Sequence, residues 1–116
     1  MKIAIVGYRN FNDFDMFENY ILDWELTNGK ITNIISGGCV GTDKLAEKYA
    51  IKYNIPTTIH EAQWDKYGKS AGPIRDKKIV DDCSHLIAFL SSKSVGTKIT
   101  INMAKKAGKD ITIIEI

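Results

Sequence analysis

Apolar residues in this chain follow two rhythms. Short, nearly unbroken apolar runs recur at Lys2–Gly7 (KIAIVG), Ile31–Ser36 (ITNIIS), Thr57–Glu61 (TTIHE), His85–Leu90 (HLIAFL) and Ile111–Ile116 (ITIIEI). Runs this short, rich in β-branched residues and bounded by glycine or polar residues, predict buried strands. Between them the apolar positions spread to a spacing of three and four. Phe17, Tyr20, Ile21 and Trp24 fall at i, i+3, i+4 and i+7 and predict one face of a helix over FDMFENYILDWEL, stopped by Asn28-Gly29. Leu45, Tyr49 and Ala50 do the same for a helix over 42–53, which Asn54 ends and Pro56 keeps from continuing. Two more helices are expected, one opening at Pro73 in PIRDKKIVDDC and one over 96–107 that ends at Gly108. The segment 62–72, AQWDKYGKSAG, shows no period and reads as a long loop.

Strand and helix alternate throughout, so the chain is expected to form one α/β domain over 1–116: a doubly wound, five-stranded, mainly parallel sheet with helices on both faces. Such sheets bind ligands beyond the carboxyl ends of their strands, where the strand order reverses. The segments after the first four strands are GYRNFND, SGGCVGTD, AQWDKYGKSAGPIRD and SSKSVGT. They hold most of the glycines and both arginines, whereas TNGK, YNIP and KAGKD on the opposite edge are plain turns. One edge of the sheet is built for contact.

Composition narrows the classes. A chain of 116 residues can bury roughly two-thirds of its unfolded surface. No apolar run approaches the ~20 residues of a membrane span, and MKIAIVGYR lacks the apolar core of a signal peptide. Cys39 and Cys83 form neither a disulfide framework nor a metal knuckle. A cytoplasmic protein with no membrane partner, no metal and no cofactor is expected. The net charge of +2 is too mild to point to nucleic acid, which is expected to be an unlikely partner. Fourteen of the sixteen basic residues are lysines, mostly on predicted helices; the two arginines, Arg9 and Arg75, stand on the contact edge.

Chemistry concentrates in that edge. In SGGCVGTD (Ser36–Asp43), Gly37 and Gly38 permit close approach of an anion to backbone N–H groups, and Gly41 permits the turn into a helix whose N-terminus adds partial positive charge. A tight turn requiring positive φ is the alternative. Asp43 either caps that helix or accepts hydrogen bonds from a sugar or base. SVGT (Ser94–Thr97) repeats the logic after the fourth strand, with Ser91, Ser92, Ser94 and Thr97 as hydroxyl donors to phosphate, although Thr97 also suits an ordinary cap. Arg9 and Arg75 offer planar forks for phosphate or carboxylate, or surface ion pairs. Trp64 and Tyr67 can stack on a nucleobase or pack their own loop. His60 and His85 read as structural, and Cys39 has no histidine partner to make it a nucleophile.

Together, G-Y-R after the first strand (Gly7, Tyr8, Arg9), S-G-G-x-x-G-x-D after the second, W-x-x-x-G-x-x-A-G-P-x-R-D over Trp64–Asp76 and G-T after the fourth resemble the small YspA-type members of the SLOG superfamily of Rossmann-like domains. That superfamily also holds DprA-like DNA-processing proteins and the "lonely guy" phosphoribohydrolases. The resemblance runs from about Lys2 to Ile114 and implies a Rossmann-like fold and a nucleotide-derived small-molecule ligand. By motif position it puts Gly7, Arg9, Gly37, Gly38, Gly41, Asp43, Gly72, Arg75, Gly96 and Thr97 in the site. Ser36 and Tyr8 lie inside the same motifs, and Trp64 is the aromatic candidate. Self-association as a homo-oligomer is also implied.

The phosphoribohydrolase relatives carry P-G-G-x-G-T-x-x-E, whose glutamate acts in N-glycosidic cleavage with an arginine that Arg75 resembles. Here the segment reads S-V-G-T-K-I-T, and Thr100 stands at the glutamate position. Threonine supplies no negative charge to an oxocarbenium-like transition state. The expectation is therefore binding of a nucleotide-derived ligand, for sensing or sequestering. Hydrolysis of a nucleoside monophosphate is the alternative, with Asp43 or Glu61 in the glutamate's place and Arg75 assisting. Single-stranded DNA binding is the third.

Overall fold

The computed structural model describes residues 1–116. Five strands, β1 (Lys2–Gly7), β2 (Asn33–Ser36), β3 (Thr57–Ile59), β4 (His85–Leu90) and β5 (Asp110–Glu115), form a sheet in the order β3-β2-β1-β4-β5. Every pair is parallel. The helices are α1 (Phe14–Asn28), α2 (Thr42–Lys52), α3 (Trp64–Tyr67), α4 (Ala71–Asp82) and α5 (Gly96–Lys106).

Because both faces of a parallel sheet are covered, its central strands carry apolar residues on both. Ile3 and Ile5 of β1 point to one side and pack with Phe17 and Ile21 of α1 and Tyr49 of α2. Ala4 and Val6 point to the other and pack with Ile79 and Val80 of α4 and Ile101 and Ala104 of α5. At about 25 cal/mol per Å² of apolar surface removed from water, these two cores dominate the stability of the domain. The expected architecture is the observed one, and the sheet is wholly parallel.

The hydrophobic pattern started β2 two residues early, at Ile31, ran β3 two residues long, to Glu61, and misplaced Tyr20 and one segment. Tyr20 shares the spacing of the buried face of α1 yet is 40% exposed; it lies at the edge of that face and meets Phe89 edge-on, with ring centroids 6.1 Å apart. The segment expected to be one long loop, 62–72, instead holds α3, a 3₁₀ turn at Gly68–Ser70 and the first residues of α4. These elements are too short to show a period, and α3 has no buried residue. Helix α4 begins at Ala71, two residues before Pro73. Proline is tolerated there because N–H groups of a first turn have no intrahelical acceptor to lose.

Two other features were anticipated. His85 Nε2 lies 2.8 Å from the Thr112 hydroxyl, which also accepts a hydrogen bond from Trp24 Nε1 at 3.1 Å. Burial holds the His85 pKa below its ordinary value, so the neutral ring accepts the Thr112 proton. His60 pairs with Asp82 at 3.1 Å. Both histidines sit in structural contacts away from the cleft described next.

Candidate functional site

The strand order reverses between β1 and β4, whose ends pair at Gly7 and Phe89. Beyond those ends lies a cleft of about 700 Å³. Four chain segments wall it: the turn after β1, the glycine turn before α2, the α3–α4 region, and the turn into α5.

The first two of these segments are locked together. The Tyr8 carbonyl accepts hydrogen bonds from the Thr42 hydroxyl at 2.9 Å and from Thr42 N at 3.3 Å. Gly41 lies against the Arg9 backbone, where a Cβ would fall 2.2 Å from the Arg9 carbonyl oxygen, and its φ of +76° is the left-handed region that favours glycine. Gly7 is similarly confined, since a Cβ there would come within 2.7 Å of Phe89 and of the Thr42 hydroxyl. These two glycines serve the packing of the turns on one another.

Asp43 lies in the first turn of α2, only 8% exposed, and its Oδ2 accepts a hydrogen bond from Cys39 N at 3.1 Å. Burial pushes its pKa up to about 6, against the lowering pull of the Cys39 N–H and of the nearby Arg75 charge. The glycine turn thus points a backbone amide at its own carboxylate rather than leaving it open. Gly38 N is likewise turned toward the Ser36 hydroxyl, at 3.5 Å.

Arg75 reaches the same turn from α4. Its Nη1 donates to the Gly37 carbonyl at 3.1 Å and to Cys39 Sγ at 3.2 Å, and its Nε donates to Asp76 at 2.7 Å. Burial works against the guanidinium charge, but Cys39 and Asp76 more than offset it and hold the Arg75 pKa above its ordinary value. Arg9, by contrast, is exposed and its side chain makes no hydrogen bond or ion pair within the chain.

Across the cleft, the turn into α5 is held by serine hydroxyls: Ser91 N donates to Ser94 Oγ at 3.0 Å and Lys93 N to Ser91 Oγ at 3.2 Å. The N-terminus of α5 itself carries no side-chain cap. Thr97 lines the cleft instead of capping the helix, and Gly96 has no atom within 4 Å of where its Cβ would be. The Thr100 hydroxyl donates to the Gly96 carbonyl at 3.2 Å, so α5 presents no carboxylate at that position.

The cleft therefore brings together Gly7, Tyr8, Arg9, Gly38, Asp43, Trp64, Arg75, Gly96 and Thr97. Ser36, Gly37, Gly41 and Gly72 do not line it: the first three are buried behind the turn, and Gly72 lies under Trp64, whose Cη2 would be 3.5 Å from a Cβ there. Glu61 is exposed and also outside it. Sequence reasoning about the site passed over Val40, Lys93, Val95 and Ile79, which line the cleft. Lys93 had a signal, since it stands in the turn after β4, on the contact edge; Ile79 had none, being an ordinary core position of α4.

A wholly parallel α/β sheet with a cleft at its strand-order reversal defines a Rossmann-like domain. The chain belongs to the YspA, cpYpsA-related SLOG family (YAcAr), whose family model matches residues 1–67. That match takes in β1, the glycine turn and Trp64, and stops short of Arg75 and α5. The chain is similar to the Gene 61 protein of Mycobacterium phage D29, 33% identical over an alignment of 84 residues that covers 65% of this chain and 65% of that protein. Its fold is that of DNA processing protein A (DprA) from Streptococcus pneumoniae, with a TM-score of 0.74, 21% identity and coverage of 97% of this chain and 49% of that one. DNA processing protein A from Helicobacter pylori, whose structure was reported for its single-stranded DNA binding mode, gives a TM-score of 0.72, 18% identity and coverage of 97% and 64%. The chain spans less than two-thirds of the length of each of these relatives.

The likeness to the DprA proteins corrects one expectation. A net charge of +2 argued against a nucleic-acid partner, but the structure reported for the Helicobacter pylori protein's single-stranded DNA binding mode has this same fold. Net charge is a poor guide here because binding depends on where the basic groups stand, and Arg9, Arg75 and Lys93 all line one cleft. As for membranes, no helix is long and apolar enough to cross one.

Proposed function

We propose that this protein binds a nucleotide or nucleotide-derived ligand in the cleft at the reversal of strand order. The observation that carries the reading is the uncapped N-terminus of α5 in a cleft that also holds Arg9, Arg75 and Lys93. Free N–H groups at a helix start, together with the helix dipole, favour an anion. In this reading phosphate sits against Gly96 and Thr97 and is approached by Arg9 and Lys93. Asp43, held by the Cys39 amide, faces the cleft as an acceptor for sugar hydroxyls. Trp64, 58% exposed at the rim, covers the base. Arg75 acts on the ligand with whatever part of its fork the glycine turn leaves free.

The test is thermal unfolding against nucleoside mono-, di- and triphosphates, ADP-ribose, NAD, cyclic nucleotides and inorganic phosphate. A ligand at about a hundred times its Kd adds roughly 2.7 kcal/mol, a shift on the order of 10 °C for a domain of this size. A flat response across the panel rejects the reading.

A second reading, single-stranded DNA binding, is favoured by the likeness to the Helicobacter pylori DprA fold and by the three basic residues in the cleft. It requires an exposed aromatic platform beside a basic groove, and Trp64 with Arg9 and Lys93 meets that description. Titration with a labelled oligothymidylate tests it.

A further inference from the structure

A second cavity of about 650 Å³ opens on the other side of Tyr8. Tyr8 lines both cavities, and Arg9, the next residue, lines the first. The two spaces are therefore neighbours that share one aromatic wall.

Their charges differ. The first sets Arg9, Arg75 and Lys93 against the carboxylates of Asp43 and Asp76; the second contains the carboxylates of Asp13 and Glu115 with no lysine or arginine to offset them. The start of α1, which adjoins it, is already capped: Asp13 Oδ1 accepts from Met16 N at 3.1 Å. Phosphate would meet two carboxylates and a satisfied helix end there, so it is excluded. What remains suits an aromatic ring that is uncharged or cationic, such as a thymine or the nicotinamide of NAD. Tyr20 and Met16 are 40% and 42% exposed, and Asn10, Asn12 and Ser91 supply amide and hydroxyl groups able to pair with a heterocycle's edge. Asn10 Nδ2 donates to the Tyr8 hydroxyl at 3.3 Å, which ties the amide to the shared wall. The half-exposed Tyr20 is also unusual as core packing, because its helical spacing fits the buried face of α1.

We infer that this second cavity holds the second nucleobase of a ligand made of two nucleosides joined through phosphate, the phosphate lying at Arg9 and the first base under Trp64. The inference rests on the nucleotide-binding reading of the first cleft. The ligand chemistry has two sources, a free dinucleotide or two adjacent residues of a single strand.

The experiment compares four ligands by calorimetry: AMP, NAD, TMP and the dinucleotide pTpT. Two variants accompany the wild type, Tyr20→Ala and Asn10→Ala; Asn10 is exposed and its side chain bonds within the chain only to the exposed tip of Tyr8, so it guards against loss through misfolding. Stacking of one added base is expected to tighten binding about tenfold, so NAD over AMP or pTpT over TMP should show that advantage. Both variants should erase the advantage while leaving the mononucleotide affinity unchanged. An advantage for NAD alone assigns a free dinucleotide, and one for pTpT alone assigns a strand. Mononucleotide binding with no dinucleotide advantage overturns the second site and leaves the first intact. An advantage untouched by Asn10→Ala and Tyr20→Ala also overturns it. Silence of all four ligands overturns the second site, and a flat thermal panel beside it rejects the first reading as well.

Discussion

Arg75 holds the glycine turn from across the sheet edge: its Nη1 donates to the Gly37 carbonyl at 3.1 Å. The other arginine of the cleft, Arg9, makes no such contact. The two are alike in type and both line the cleft, and differ in what their removal must do. Arg75→Ala strands the Gly37 carbonyl and the Asp76 carboxylate, which is only 16% exposed, and should cost about 1–3 kcal/mol of stability. Arg9→Ala should leave the unfolding midpoint where it is. Both should weaken nucleotide binding, which separates a residue that shapes the site from one that only faces it. Thermal unfolding with and without ligand, on both variants, reads all four outcomes.

The fold was legible because parallel strands covered on both faces leave unbroken apolar runs, and KIAIVG and HLIAFL are such runs. The contact edge was legible because its glycines and arginines cluster after strand ends. What the sequence could not reveal was which polar groups satisfy one another. Ser36, Gly37 and Gly41 belong to the glycine motif, but the turn folds them inward, and Asp43 takes up the Cys39 amide that the motif promised to a phosphate. A motif records residue types; whether an amide is free depends on the side chains brought near it by the fold. For α3 the reason differs, since a single helical turn carries too few residues to reveal a period.

Asp43 makes acid stability a probe of the cleft. Its folded pKa is raised from 3.8 to about 6 by burial, so the folded state holds a proton that the unfolded chain releases. Stability contributed by this group falls as pH rises from about 4 to 6, and the cost is complete above that window. Asp43→Asn removes the titration and still accepts from the Cys39 amide. The difference in unfolding free energy between variant and wild type should therefore grow in the variant's favour over that window, by on the order of 3 kcal/mol. Other carboxylates such as Asp82, whose pKa is lowered by His60, slope the opposite way, which is why the difference and not the wild-type curve is measured. A difference flat in pH would show that the carboxyl is solvated.

Gly41 and Gly96 should part company on substitution. Gly41→Ala drives a Cβ to 2.2 Å from the Arg9 carbonyl at a φ of +76°, and backbone must move. Loss of more than about 2 kcal/mol is expected, with disruption of both turns. Gly96→Ala meets no atom within 4 Å and lies in the first turn of α5, where alanine favours the helix by up to about 1 kcal/mol. The variant should be as stable as wild type or more so. If phosphate lies against this turn, the added methyl group nonetheless lowers nucleotide affinity. Equal affinity for the two proteins would move the phosphate away from α5.

Salt dependence separates the two readings of the cleft by counting charges. Single strands lose affinity with salt at a slope of about −0.7 per phosphate neutralised. Arg9, Arg75 and Lys93 are the three basic residues lining the cleft, so a strand engaging all of them should show a log–log slope near about −2. Arg9→Ala and Lys93→Ala, both at exposed positions, should each flatten it by roughly 0.7. A mononucleotide anchored at the α5 N-terminus draws on backbone N–H groups as well as on side-chain charge, and its affinity should fall less steeply with salt. An oligothymidylate that binds with a slope near zero is not held by its phosphates, and the single-strand reading then fails even if the mononucleotide binds.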